Sequence, residues 1–384
     1  MPDRCRLIEI AGKPYERGVS YGTQAAPEIR IGIAHYAKQV NALSLSDAEI
    51  ERVAVAFVPR IEEFAPHHVE EMRGVARGAD VPFHHILLLN ARTEILKLAT
   101  NPAQRAKLLS EDEPDGCTGI VIQPEASAEH RLIHAHNWDW KAESAESSIV
   151  VRIRSDDGPD ILMFTEAGAL GRFGFNSVGT AITANYLESD RDYRTLGFPL
   201  ALLRRHVLEH GHFAQSLKSA YAIPKSTSNN MLVSTASGGL AFDLECAPDE
   251  SFLVEPKDGV LVHANHWRSP VALSKLTECG VISMPDSLYR DRRLRSLIEP
   301  LIGSISVAQL KKILADNWET PWSLCRPPRP SALHNLTATV ITLVMQPEIG
   351  LMEVSLLPAN GNPYHDYRLE MEPTARLHRA NSPF

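Results

Sequence analysis

Residues 115–140 read DGCTGIVIQPEASAEHRLIHAHNWDW, and the rest of the chain is best read outward from them. Cys117 opens a short aliphatic and β-branched run that ends near Gln123. Residues 124–130 (PEASAEH) carry turn chemistry, and a second strand pattern runs from Arg131 to about Trp140. The pair predicts an antiparallel hairpin. A turn centred near residue 127 or 128 makes paired positions sum to about 255, which sets Cys117 opposite Trp138 or Asp139. A thiol and a carboxylate then share one end of the hairpin, where cross-strand Cβ atoms lie about 4.5–5.5 Å apart.

A thiolate is a strong nucleophile, but its proton needs an acceptor. No Cys/His arrangement is evident in the sequence. The cysteine's own α-amine is one solution, because a free α-amino group titrates at about 7.7–8.0. That requires cleavage of the Gly116–Cys117 bond. Glycine at position 116 permits backbone geometry that a β-carbon would forbid, and Asp139 would orient the new amine. The plainer alternative is an inert structural cysteine beside an exposed carboxylate.

Composition narrows the function classes. The 384 residues carry 39 Lys+Arg against 47 Asp+Glu, a net charge of −8 with His neutral. That balance argues against nucleic acid or an anionic membrane as the main partner. The 44% hydrophobic content argues against disorder. No apolar run approaches the roughly 18 residues of a membrane helix; residues 86–89 (ILLL) and 340–345 (VITLVM) read as core. The first ten residues, MPDRCRLIEI, lack an apolar signal region. Cys5, Cys117, Cys246, Cys279 and Cys325 are scattered, odd in number and form no CxxC. This speaks against a disulfide scaffold or thiolate zinc site and for a reducing, cytoplasmic setting.

The chain divides into two textures. Residues 27–110 read as helix, with amphipathic stretches at 62–79 and 86–97 and breakers near Pro59, Pro66 and Pro82. Residues 12–22 (GKPYERGVSYG) fit a tight turn into a helix or a plain surface loop. Residues 110–114 (SEDEP) are the best linker candidate. Beyond Cys117, strands are predicted at 119–122, 132–136, 149–153, 161–164, 180–183, 231–233, 240–244 and 260–263. Helices are predicted at 199–209, 213–222, 287–302 and 307–318, and a final hairpin at 337–345 and 351–357. No fixed-period repeat appears.

DGCTG (115–119) with HNWDW (136–140) resembles the acyl-coenzyme A:6-aminopenicillanate acyltransferase family of self-processing N-terminal-nucleophile hydrolases, which includes insect β-alanyl-dopamine hydrolase. The likeness continues in KPYERGVSYG (13–22), EMRGVARGADV (71–81), LNARTE (89–94), FNSVGTAITAN (175–185), HANHW (263–267) and DSLYRDRRL (286–294). The resemblance implies an α+β fold, a four-layer αββα sandwich. Residues 1–116 would form a helical pro-segment or small subunit, and 117–384 the catalytic large subunit, the two staying associated. Cys117 matches the nucleophile exposed by autocleavage after Gly116, and Asp139 the aspartate that holds its amine. Asn265 matches an asparagine that stabilises the oxyanion, and Asn185 lies where related hydrolases place a second contact. Such a donor is worth ~3–4 kcal/mol of barrier. The family often has a serine in the first strand of the last hairpin; here Thr339 and Thr342 occupy that strand, and the sequence does not choose between them. Arg92 and Glu94 are expected to hold the small subunit against the large one. The implied reaction is acyl transfer from a small-molecule N-acyl amide or thioester, to water or a second amine, through an acyl-enzyme. No cofactor is required; acyl-coenzyme A is compatible as a co-substrate, and a homo-oligomer with the assembly.

Two other readings compete. His134 and His136 point to one face of a strand and, with His263 and His266, could form the metal site of a zinc amidohydrolase, although alternating strand histidines are more often satisfied core residues. The chain could also be an uncleaved binding or scaffold member of the family; the joint presence of Cys117, Asp139 and Asn265 weighs against that. Residues 168–174 (GALGRFG) lack a strand–GxGxxG–helix context and read as a turn. Arg204-Arg205 and Arg292-Arg293 read as solvated helix faces. Trp138 and Trp140 alternate away from Asp139 and either pack the sheet or line an acyl pocket.

Overall fold

Period-two stretches rich in Val, Ile and Thr build two large sheets in the computed structural model, which describes residues 2–42, 44–99, 116–330 and 336–372. The 110–114 linker candidate and Asp115 lie outside the described residues. The first sheet has eight strands in the order β1-β4-β5-β6-β7-β8-β9-β10. These are β1 (Arg6–Ala11), β4 (Ser148–Arg154), β5 (Ile161–Glu166), β6 (Phe173–Asn176), β7 (Thr180–Tyr186), β8 (Asn229–Thr235), β9 (Leu240–Cys246) and β10 (Ser251–Val254). The second has seven, ordered β11-β2-β3-β13-β14-β15 with β12 beside β13. Its members are β2 (Cys117–Ile122), β3 (Ile133–Lys141), β11 (Val260–His263), β12 (Arg329–Pro330), β13 (Leu336–Gln346), β14 (Leu351–Leu356) and β15 (Tyr364–Arg368).

The sheets pack face to face, β2 and β3 against β7 and β8, and β11 against β9. Helices α8 (Leu200–Leu208) and α9 (Phe213–Ala222) cover the outer face of the first sheet. Helix α10 (Pro270–Leu273) is a single turn; α11 (Asp286–Ile298) and α12 (Val307–Leu314) cover the second sheet. The layer order is therefore αββα, an α+β fold. Strands enclosed on both faces cannot alternate polar and apolar residues cleanly, which is why β2 (CTGIVI) is buried throughout. Ile120, Ile122, Ile133 and Val262 form one core with Leu294, Leu310 and Leu314 of α11 and α12.

The N-terminal segment is less purely helical than its sequence predicts. Strand β1 pairs in parallel with β4, so this segment supplies the edge of the first sheet. The signal was short: only Ile8 and Ile10 of RLIEIA turn inward. Residues 12–22 are not a surface loop but lead into α1 (Pro14–Gln24), which packs closely on α5 (Pro66–Ala79). A Cβ on Gly18 would overlap the Glu71 carbonyl, and one on Gly74 the Tyr15 carbonyl, so backbone meets backbone there. Helices α2 (Ala26–Ala42), α3 (Asp47–Val55), α4 (Val58–Phe64), α6 (Phe83–Asn90) and α7 (Arg92–Ala99) make up the rest of its described part. The final hairpin gains a third strand, β15, paired with β14. No described helix is long and apolar enough to cross a membrane.

Candidate active site

The hairpin register sets the centre of the site. Cys117 pairs with Trp138, and 117 + 138 = 255. One step outward, the Asp139 N–H donates to the Gly116 carbonyl at 2.7 Å. The Cys117 N–H donates to Asn265 Oδ1 at 2.7 Å. Its carbonyl accepts from Arg290 Nη1 at 2.6 Å. The Gly116–Cys117 peptide is thus held on both sides, with Cys117 buried. Glycine at 116 matters for room: a Cβ there would lie 2.6 Å from Asp139 Oδ2 and 2.7 Å from Arg326 Nη2.

Around Asp139 runs a buried chain of charges. Thr339 Oγ1 donates to Asp139 Oδ1 at 2.6 Å and accepts the Arg326 N–H at 2.7 Å. Arg326 Nε stands 3.0 Å from Asp139 Oδ2, an ion pair without hydrogen-bond alignment. Arg326 also pairs with Asp286, which accepts from Arg290 Nε at 2.7 Å. Arg290, fully buried, reaches Thr118 Oγ1 at 2.8 Å and Asn265 Oδ1 at 2.9 Å. Two aspartates and two arginines balance, as buried charges require. Burial pushes the Asp139 carboxyl above its usual range, and Arg326 and Arg290 offset that only in part. For Asp286, burial is outweighed by Arg290 and Arg326, and its carboxyl sits low.

A β-bulge decides between the two threonines. The β3–β13 register shifts between Thr339 and Ile341, so Thr339 pairs with Asp139 and Thr342 with Asn137. Thr342 Oγ1 donates to Asn137 Oδ1 at 2.6 Å, and Asn137 in turn holds the Leu314 and Leu324 carbonyls. Thr339 therefore adjoins the Cys117 end of the hairpin, and Thr342 lies farther along the same helix-covered face.

The two asparagines differ as well. Asn265 Oδ1 receives both the Cys117 N–H and Arg290, so its amide orientation is set by two donors. One proton of its Nδ2 goes to the Tyr186 carbonyl at 3.0 Å. Asn185 is not brought to Cys117 as an oxyanion contact. Its Nδ2 gives both protons away, to the His263 and Ala264 carbonyls at 2.8 and 2.7 Å. Ala184 and Tyr186 line the cavity beside Cys117, so strand alternation turns Asn185 away. It buttresses the segment that carries Asn265. His263, at the start of that segment, bonds Glu245 Oε1 at 2.8 Å and the Ala264 carbonyl at 2.8 Å, with Asp243 3.5 Å away. Burial alone would lower its pKa, but Asp243 and Glu245 raise it to about 9.

A cavity of about 50 Å³ opens beside Cys117, lined among others by Trp138, Glu166, Arg92, Glu94, Arg172 and Arg204. Glu166 accepts from Arg92 Nε at 3.2 Å, Arg172 Nη2 at 2.9 Å and the Tyr36 hydroxyl at 2.7 Å. Burial works against its charge, yet Arg92 and Arg172 hold its pKa at about 2. Glu94 Oε1 accepts the Leu200 N–H at 2.8 Å at the start of α8. Arg92 and Glu94 thus join the N-terminal segment to β5 and α8. Trp138 faces the cavity, with the Arg172 guanidinium 4.0 Å from its ring. Arg204 and Arg205 are buried, contrary to the solvated face expected for them, because the N-terminal helices cover α8. Arg205 pairs with Glu209 at 2.9 Å. Arg292 is exposed, and Arg293 pairs with Asp316 at 2.8 Å.

A family model described as acyl-coenzyme A:6-aminopenicillanic acid acyl-transferase matches residues 126–355. The chain belongs to this acyltransferase family. It is 29% identical over 333 residues to the 40 kDa form of acyl-coenzyme A:6-aminopenicillanic-acid-acyltransferase of Emericella nidulans, covering 83% of this chain and 84% of that protein. Among solved structures it is similar to a mutant of conjugated bile acid hydrolase from Clostridium perfringens, with TM-score 0.45, 14% identity and coverage of 67% and 93%. It is also similar to penicillin V acylase from Agrobacterium tumefaciens, with TM-score 0.38, 13% identity and coverage of 62% and 82%.

Within this acyltransferase-family chain, the histidines of the zinc reading do not converge. His134 bonds Ser234 and Thr183 hydroxyls, each at 2.8 Å. His136 packs on Phe173 with ring centroids 4.4 Å apart, and His266 bonds Ser287. Among the described residues, the sets that could hold a metal are His67/His68/His206/Glu209, Asp47/His84/His85 and Asp243/Glu245/His263, and none contains Cys117. Sequence reasoning missed Arg290, Asp286 and Arg326. The i,i+4 Asp–Arg spacing in 286–290 was a usable signal for the first two; Arg326, in SLCRPPRP, carried none.

Proposed function

We propose that this chain is a cysteine amide hydrolase or acyltransferase that makes its own base by cleaving the Gly116–Cys117 bond. The reading rests above all on how that peptide is held, with Asp139 N–H on the Gly116 oxygen and Asn265 Oδ1 on the Cys117 nitrogen. In the cleavage step, Cys117 Sγ attacks the Gly116 carbonyl carbon. Negative charge grows on an oxygen that already has a donor, the interaction that lowers such barriers most. The C–N bond breaks as the C–S bond forms, and the thiol proton passes to the departing amine. Water then hydrolyses the thioester, leaving the Gly116 carboxylate and a free Cys117.

In turnover the Cys117 amine takes the thiol proton and the thiolate attacks the substrate carbonyl. Asn265 Oδ1 and the Asp139 carboxylate orient the amine. The second proton of Asn265 Nδ2 is the side-chain donor for the oxyanion, and the Asp139 N–H, released by the departure of Gly116, is a backbone one. The ammonium returns its proton to the leaving nitrogen. Water or a second amine resolves the acyl-enzyme. The substrate is a small N-acyl amide or acyl thioester, acyl-coenzyme A among the candidate donors.

Intact mass spectrometry of the purified protein tests this. Cleavage yields pieces of 116 and 384 − 116 = 268 residues, the larger beginning Cys-Thr-Gly, and Cys117→Ala stays whole. Wild-type protein that stays whole and leaves a panel of amides and thioesters untouched would refute the reading. Amide cleavage by whole protein that is abolished by a chelator would favour the zinc mechanism instead.

A further inference from the structure

The charges lining the Cys117 cavity are unevenly matched. Arg92 and Arg172 share Glu166, and Glu94 accepts a backbone N–H. Arg204 is 9% exposed, lines the same cavity, and makes no hydrogen bond or ion pair among the described residues; its Nε is buried without a partner. Among the described lining residues, three arginines face two glutamates, and Arg204 is the one for which neither glutamate forms an ion pair. Burial lowers Arg204 to about 9, so it stays cationic at neutral pH. Glu94 and Cys117 attract it only through space, and its guanidinium lies 5.8 Å from the Phe173 ring; a guanidinium kept out of water without a hydrogen-bonded anion is costly, and an arriving anion recovers that cost.

We propose that Arg204 is an anion subsite for the carboxylate of the substrate, and that the preferred substrates are acidic N-acyl amides such as N-acyl amino acids. The inference deepens the amide chemistry assigned to Cys117 and rests on it. A guanidinium presents a planar fork that matches a carboxylate through two parallel N–H···O bonds, which a point charge does not. The cavity has room for about four water molecules, enough for a carboxylate beside the scissile amide but not for a whole substrate. Arg172 cannot take the same role, because Glu166 holds it and it stacks on Trp138. Neutral amides leave Arg204 unpaired, and cationic amines are repelled.

The test compares N-phenylacetylglycine with N-phenylacetylglycinamide on wild type, Arg204→Gln and Arg204→Lys. Wild type is expected to favour the acid at least about 10-fold in kcat/KM. Arg204→Gln brings that ratio close to one, chiefly through KM, and Arg204→Lys keeps part of it. Calorimetric titration with the same pair reads the subsite without turnover, so a protein that binds the acid selectively yet cleaves neither compound refutes the amide chemistry and keeps the subsite. An acid-to-amide ratio in wild type near one, or the same ratio in Arg204→Gln, overturns the subsite. So does a shift in the pH profile of Cys117 alkylation by iodoacetamide with equal loss on both substrates, which would make Arg204 the counterion of the thiolate. Arg204→Gln is expected to melt at the same or a higher temperature than wild type without ligand; a drop of several degrees would assign Arg204 to the fold.

Discussion

Thr339→Val and Thr342→Val separate a hydroxyl that holds the Asp139 carboxylate from one that holds Asn137. Valine keeps the shape of threonine, so no cavity opens and only the hydrogen bonds are lost. At Thr339 the loss is double: the 2.6 Å bond to the Asp139 carboxylate and the acceptor of the Arg326 N–H. A hydrogen bond to a charged group is worth about 1.5–3 kcal/mol and a stranded buried N–H costs about 1–3 kcal/mol. Allowing for relaxation, Thr339→Val should lose about 2–4 kcal/mol. Thr342 gives up one neutral bond to Asn137, about 1–2 kcal/mol. Urea unfolding in a Cys117→Ala background measures both on uncleaved chains. Cleavage with Cys117 present, followed by intact mass, should slow about 10- to 100-fold in Thr339→Val, since about 1.4 kcal/mol is one decade of rate. Thr342→Val should cleave within about threefold of wild type. Equal slowing in both variants, or unchanged cleavage in Thr339→Val, would show that Asp139 needs no support from Thr339.

Two further outcomes follow from the packing and the charges. Gly18→Ala forces α1 away from α5, because the new methyl meets the Glu71 carbonyl, and should cost about 1–3 kcal/mol in urea unfolding; an unchanged midpoint would mean that the close helix approach is not required. His263 has a folded pKa of about 9, above the ordinary 6.5, so its stabilisation is fully present below about pH 6.5 and is lost as pH rises through 9. Unfolding free energy should fall between about pH 6.5 and 9.5, and His263→Gln should flatten that fall; a flat wild-type profile would show that the imidazolium contributes nothing.

The hairpin from Cys117 to Lys141 was legible because turn length and strand period set cross-strand pairing locally, and neither depends on the rest of the chain. The same local rules placed most strands and helices, while the motif string pointed to the family. They were silent on β1, which buries too few residues to stand out. They also missed the arginines. Arg204 reads as a solvated charge until the N-terminal helices close over α8, and Arg326 meets Asp139 only because β3 and β13 are neighbours.

What the sequence alone determined is the arrangement at one end of one hairpin: a cysteine after a glycine, with an aspartate one strand away. Tertiary structure decided which partners that pair receives. The bulge in β13 chose Thr339 over Thr342, alternation along β7 turned Asn185 away, and the packing of α11 brought Arg290 to the Cys117 carbonyl. Strand period and turn length act between residues a few positions apart and are written in order along the chain. Bulges, layer packing and buried charge pairing join residues far apart in the chain, such as Asp139 and Thr339, 200 positions from each other, and exist only once the layers have closed.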